Sequence, residues 1–142
     1  MKKTLVLLLA IVFAGLLTAC GGEKETTLTG AERDAVLAYS EEKTENMMAG
    51  MKAGNYADFS KDFDQAMLNA MPADAFDKFK QDYDGRLGAY VSNKVNRVMQ
   101  SESGKFVAVV YDTVFEKDDA VTMRVVFRAG DPHEISGLWF NK

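Results

Sequence analysis

Soft donors in this chain amount to one thiol, one imidazole and eight methionine thioethers. The thiol, Cys20, closes the run Leu17-Thr18-Ala19-Cys20 after an uncharged stretch from Thr4 to Ala19. A thiol there can take a thioether-linked diacylglycerol, which no neighbouring side chain can do. With Cys20 acylated, no thiol remains for a disulfide, a zinc site or a nucleophile. Met48 and Met51, with Met47 beside them and Met67 and Met71 further on, have the softness of a copper(I) site. Methionine at helical spacing is far more often core filler, and no Cys lies near, so we expect no metal and no cofactor. His133 follows Asp131-Pro132 where a strand should start, which is a surface position. Asp58, Asp62 and Asp64 are close in sequence, but no EF-hand loop surrounds them and a helix would splay them. They read as a solvated face rather than a Ca²⁺ site.

Lys2 and Lys3 precede the uncharged stretch, which is too short for an ordinary spanning helix and suits a signal h-region. The segment resembles the bacterial lipoprotein signal: a Leu three before the cysteine, small residues between, and Cys20 as first mature residue. That resemblance implies a signal peptide over 1–19, a lipidated flexible tether over 20–29 and a folded domain over 30–142. It also implies an extracytoplasmic protein held at the membrane by acyl chains on Cys20; several chains make durable what one alone makes marginal. Gly21 is not the Asp that resembles an inner-membrane retention signal, so a cell with two membranes should carry the protein on the outer one. Gly21-Gly22-Glu23-Lys24-Glu25-Thr26-Thr27 is small and polar, and ten or so such residues reach roughly 15–20 Å. Loss of residues 1–19 removes Lys2 and Lys3 and leaves 15 basic against 21 acidic side chains, a balance of −6. An acidic domain without a Lys/Arg cluster argues against nucleic acid and against electrostatic docking on anionic lipid.

The remaining chain must build a core without disulfides. Thr29 and Glu32 have the spacing of a capping box, opening a helix that runs to about Ala53 and stops at Gly54-Asn55. Tyr56, Phe59, Phe63, Met67 and Met71 mark one face of a second helix, broken near Ser60. Pro72 suits the first turn of a third, which presents Phe76, Phe79, Tyr83 and Leu87 and ends near Gly88. From Val91 the period becomes two, predicting strands over 91–100, 105–116, 120–128 and 133–141. Three helices followed by a four-strand antiparallel meander is an α+β arrangement. The Gly54-Asn55-Tyr56 break, Phe59, Phe63, Met67, Met71-Pro72, Leu87-Gly88-Ala89-Tyr90-Val91-Ser92 and Ile135-Ser136-Gly137-Leu138-Trp139-Phe140 together resemble the small NTF2-like domains of exported bacterial proteins. The resemblance implies helices packed on a curved sheet as a cone, often pocketed, often dimeric. Phe63, Met67, Phe79, Tyr83, Val109, Val125 and Phe140 are the expected core.

Strand parity suggests where a ligand or partner would sit. Val91, Asn93, Val95, Arg97 and Met99 share one parity, as do Val107, Val109, Tyr111 and Thr113. If that face meets the helices, Asn93, Arg97, Tyr111 and Thr113 are polar groups in an apolar wall, the pattern of a small-molecule pocket. On the other face Phe106, Ala108, Val110 and Val114, with Val98 and Val126, form an apolar centre ringed by Lys94, Asn96, Asp112, Arg124 and Arg128. Such a centre resembles a subunit interface, so we expect a homodimer or an envelope protein docked through Ala108, Val110 and Val126. The expected function is a non-catalytic, lipid-anchored domain that binds a small ligand or a protein. The alternative is an isomerase- or cyclase-like enzyme, which needs a pocket carboxylate; Asp112 and Glu116 fall on the wrong parity. Cys20→Ala should abolish acylation and move the protein from the membrane fraction to the soluble one. A variant that still pellets after a high-salt wash refutes the anchor.

Overall fold

The computed structural model describes residues 23–142; the signal segment and Cys20 lie outside the described residues. In chain order these are β1 (Glu25–Thr27), α1 (Gly30–Ala53), α2 (Tyr56–Phe59), α3 (Gln65–Ala70), α4 (Ala73–Leu87), β2 (Tyr90–Ser101), β3 (Phe106–Phe115), β4 (Asp118–Arg128) and β5 (Ile135–Asn141). The strands form one antiparallel sheet in the order β1-β2-β3-β4-β5, with the helices on one face. The α+β class holds, but the described residues form four helices and five strands instead of three and four.

The extra strand comes out of the expected tether. Glu25, Thr26 and Thr27 pair with Ser101, Gln100 and Met99. Leu28 N then donates to Val98 O at 2.8 Å, and the Leu28 side chain is buried. The described part of the span expected as tether, residues 23–29, is therefore fastened to the sheet and its hairpin. β-Branched Thr26 and Thr27 suit a pleated edge, and the single apolar Leu28 locks it down.

The extra helix comes from the break near Ser60. Asn55 caps α2 by accepting from Asp58 N, and Asp64 caps α3 by accepting from Met67 N. Between them Phe63 makes an isolated parallel bridge with Ile135, so its ring enters the core from extended chain. Pro72 stands just before α4 rather than inside its first turn. α1 ends as expected at Gly54, whose left-handed φ of 68° lets its N–H reach the carbonyls of Gly50 and Met51. Its start differs: the Thr29 side chain makes no capping bond, and Gly30 turns the chain out of β1 at φ +56°. The capping box is not made.

The core joins Met47, Met48 and Met51 of α1 to Phe59, Phe63 and Phe76, and all of these to Val109, Val125, Phe127 and Ile135 of the sheet. The methionines are filler, as expected. Phe63, Met67, Val109 and Val125 are buried, whereas Phe79, Tyr83 and Phe140 are only half-buried. These three stack where α4 overhangs β5, the edge strand of the described sheet (Phe79–Tyr83 4.5 Å and Tyr83–Phe140 4.9 Å between ring centres).

Two irregularities in β2 overturn the simple alternation. Pairing shifts between Tyr90 and Ser92 and again between Val95 and Arg97. Each extra residue reverses the side on which the following ones point. Val91 is 53% exposed. Beyond Asn96, Val98 and Gln100 pair with Val109 and Val107 on the helix side, and Arg97 and Met99 pair with Val110 and Ala108 on the outer side. Among the described residues no helix is long and apolar enough to cross a membrane.

A tight joint lies between α1 and α2, where a Cβ on Gly50 would stand 2.3 Å from the Phe59 backbone nitrogen. A backbone neighbour cannot move aside cheaply. Gly50→Ala should therefore cost about 2–3 kcal/mol in urea unfolding despite the better helix propensity of Ala. An unchanged midpoint would show that the two helices do not meet there.

Candidate functional site

The structure separates the four residues expected to line a pocket. Tyr111, Thr113 and Asn93 share the helix-facing side, but the bulge at Asn96 puts Arg97 on the opposite one, where it donates to Asn96 Oδ1 at 3.2 Å. Tyr111 is 1% exposed. Its hydroxyl is 3.0 Å from Thr44 Oγ1 on α1. Burial pushes the Tyr111 phenol up to about 12, against the lowering effect of its hydrogen bond to Thr44. Thr113 and Ser40 are equally buried, and neither hydroxyl has a partner among the described residues. Asn93 sits at the rim, donating to Glu45 Oε1 (2.9 Å) and to the Tyr90 hydroxyl (2.7 Å), while Tyr90 donates to Glu45 (2.9 Å). Burial, with the Glu45 carboxylate, also drives the Tyr90 phenol upward. These residues form a closed polar seam between α1 and the sheet, not the wall of an opening.

An open cleft lies instead at the β1 end, between the first turns of α1 and the adjoining strand ends. It encloses about 290 Å³. Leu28, Ala35, Val36, Val107 and Ala129 give it an apolar lining; Glu32, Gln100, Tyr39 and His133 add polar groups. His133 stacks on Tyr39 with 3.8 Å between ring centres and 8° between planes. The His133 backbone is left-handed at φ 56°, its Nδ1 lies 3.2 Å from Arg128 O, and its Nε2 lies 3.1 Å from an Asp131 carboxylate oxygen. Sequence reasoning placed His133 on a bare surface. The missed signal was Val36 and Tyr39, one turn apart on α1, which need an apolar facing surface that the helical stripe further along does not supply.

The three clustered aspartates have separate structural roles. Asp58 accepts from Asn55 Nδ2 (2.6 Å) and Asp62 from Lys43 Nζ (2.6 Å). Asp64 is 2% exposed and accepts from Met67 N (2.8 Å), Arg128 Nε (2.9 Å) and Ser136 Oγ. It does not belong to a solvated face. Burial alone would raise its pKa, but the Ser136, Met67 and Arg128 bonds and the Arg128 charge hold it below the ordinary value. No group of three His, Cys, Asp or Glu side chains suits a metal ion among the described residues.

The outer face of the sheet also departs from expectation. Ala108 and Val110 are each 2% exposed within the single chain, so they offer no surface to a partner. Arg124, Val110's partner in β4, ion-pairs with Glu25 of β1, which lays its stem across this face. Val126 is half-buried. It borders a second hollow of about 290 Å³ with Phe106, Arg128, Ser136 and Trp139. Trp139, 51% exposed, lies over Gly137, where an added Cβ would meet the indole at 2.2 Å.

Residues 44–138 match the family described as "Protein of unknown function (DUF3887)", and the chain belongs to that family. No curated protein and no solved structure matches it. The matched span takes in the Thr44–Tyr111 pair and the whole Asp64–Arg128–Ser136 cluster; the α1 wall of the cleft precedes it.

Asp64→Asn keeps a capping side chain but removes the charge. With Arg128 half in solvent, the loss should be about 1–2 kcal/mol at neutral pH. A depressed carboxylate stabilises the fold above its unfolded pKa and loses that effect as pH falls through its folded value. The gap between wild type and Asp64→Asn should therefore be constant from neutrality down to about pH 5 and close below about pH 4. Urea midpoints measured across that range test this, and a gap that persists in acid refutes it.

Proposed function

We propose that this chain is a lipid-anchored, extracytoplasmic protein whose NTF2-like domain binds a small ligand without transforming it. The cleft between α1 and the β1 side of the sheet carries the reading. It is open, its lining is about evenly apolar and polar, and Leu28, Val36 and Val107 offer an apolar wall beside Glu32 and Gln100, which can orient a bound molecule. Helices on one face of a sheet kinked by bulges agree with the NTF2-like type. The Leu17-Thr18-Ala19-Cys20 run supports acylation at Cys20 and, in a cell with two membranes, an outer-membrane address.

Catalysis of the isomerase type is the weaker reading. Such a site needs a carboxylate held ready in an apolar pocket. Asp64, the buried carboxylate among the described residues, is consumed by three donors and shifted the other way. Tyr111, the electrophile such a site would use, is sealed against Thr44. Docking of a protein or a second copy on the outer face rests on Trp139, Phe106 and Val126, since exposed Trp is enriched at interfaces.

Ala35 is exposed at the lip of the cleft, so Ala35→Trp should fill the space without entering the core. Denaturing extraction of protein purified from its own membranes, read by mass spectrometry, should release a small molecule from wild type and little or none from Ala35→Trp. Equal release from both, or none from wild type, overturns the cleft as a ligand site.

A further inference from the structure

We propose that the β2–β3 hairpin end of the domain, with the mouth of the cleft, is held against the lipid surface, so that the ligand enters from the membrane side. The proposal deepens the function above and rests on acylation of Cys20. Folded structure starts almost at the lipid. The Glu23 carboxylate accepts from Ser103 N at 2.6 Å, and Glu102 N donates to Lys24 O at 2.8 Å, so residues 23 and 24 are already fastened to the hairpin. Three residue steps separate Cys20 from Glu23, and fully extended they span at most about 11 Å. That is well under the reach of a tether running to residue 29.

The cleft shares this end. Gln100 pairs with Thr26 of β1, Leu28 follows β1 directly, and Val107 lies one residue into β3 beyond the hairpin. Ala129 N donates to Lys105 O at 2.9 Å, which ties the loop bearing His133 to the hairpin. The opposite end is remote, because the ten residues of β3 carry the chain about 33 Å away to the β3–β4 turn. The acidic balance of the mature chain works against lying flat on an anionic bilayer. A short leash at one end, with no attraction along the sides, leaves an end-on stance.

Lys105 and Asp119 are exposed at the two ends. With the Cys20 sulfur acylated, Lys105→Cys or Asp119→Cys supplies the one free thiol of the full-length chain. A fluorophore on each, in lipidated protein reconstituted into vesicles with spin-labelled headgroups, should be quenched several-fold more strongly at 105 than at 119. A long Gly-Ser insertion after Gly22 should erase the difference. Equal quenching at both positions in protein that floats with the vesicles overturns the orientation and leaves the anchor standing. Protein that does not float overturns both.

Discussion

The carboxylate of Asp64 holds the helical layer to the sheet at the point where the chain passes from one to the other. A carboxylate removed from water is costly unless its lone pairs are met, and here the donors come from three elements: Met67 N of α3, Arg128 of β4 and Ser136 of β5. The adjoining backbone is clamped as well, with Asp64 N donating to Ile135 O and Ile135 N to Asp62 O. Ser136 reaches the site because pairing shifts between Val126↔Gly137 and Phe127↔Ile135, leaving it as the extra residue. The effect travels through Arg128, whose N–H bonds Glu134 O and whose carbonyl meets His133 Nδ1. The loop that walls the cleft thus hangs from the strand end that Asp64 fixes.

A second polar device fills what could have been the pocket. α1 buries Val36, Ser40, Thr44, Met47, Met48 and Met51 along one stripe, with hydroxyls in its middle. Ser40 and Thr44 face Tyr111, and a bulky phenol against two small side chains packs densely while giving Thr44 a partner. A hydrogen bond in this setting specifies register more than it adds stability: sliding α1 one turn toward Met47 and Met48 would strand Tyr111 against methionine. The wide part of the α1–sheet interface is therefore occupied by the protein itself. The cleft opens past Val36, toward the helix start.

Local backbone chemistry was legible in the sequence, and long-range pairing was not. Gly54 stops α1 and Gly88 follows α4 because positive φ values of 68° and 77° favour glycine, a requirement that residue type reveals. Met67, Val109 and Val125 are inside because spacing and burial go together, whereas Phe63 is buried from extended chain and not from the helix face its spacing suggested. The bulge at Asn96 left no comparable mark. Asn-Arg-Val is as compatible with straight pairing as with an inserted residue, yet the choice moved Arg97 out of the candidate site and Val98 into the core. β1 was hidden for a related reason: Glu25-Thr26-Thr27 has no apolar pattern of its own and becomes a strand only because Met99–Ser101 offers an edge. Ala108 and Val110 were placed on the correct face, but residue type does not show that the Arg124 stem crosses it.

That last point bears on which surface is free to act. The outer face carries the arginines of its charged and polar, interface-like rim, but Arg124 is matched by Glu25 and Arg128 by Asp64, and both acids belong to this chain. A partner would have to break or ignore those pairs, leaving chiefly Trp139 and the edges of Phe106 and Val126 to recognise. The cleft stands in a different position. Its Glu32 and Gln100 make no side-chain hydrogen bond or ion pair among those resolved for the described residues, so a ligand there would displace water rather than dismantle a built contact. Between an outer face whose Arg124 and Arg128 are already matched from within and a cleft whose Glu32 and Gln100 are still free, binding costs less at the cleft.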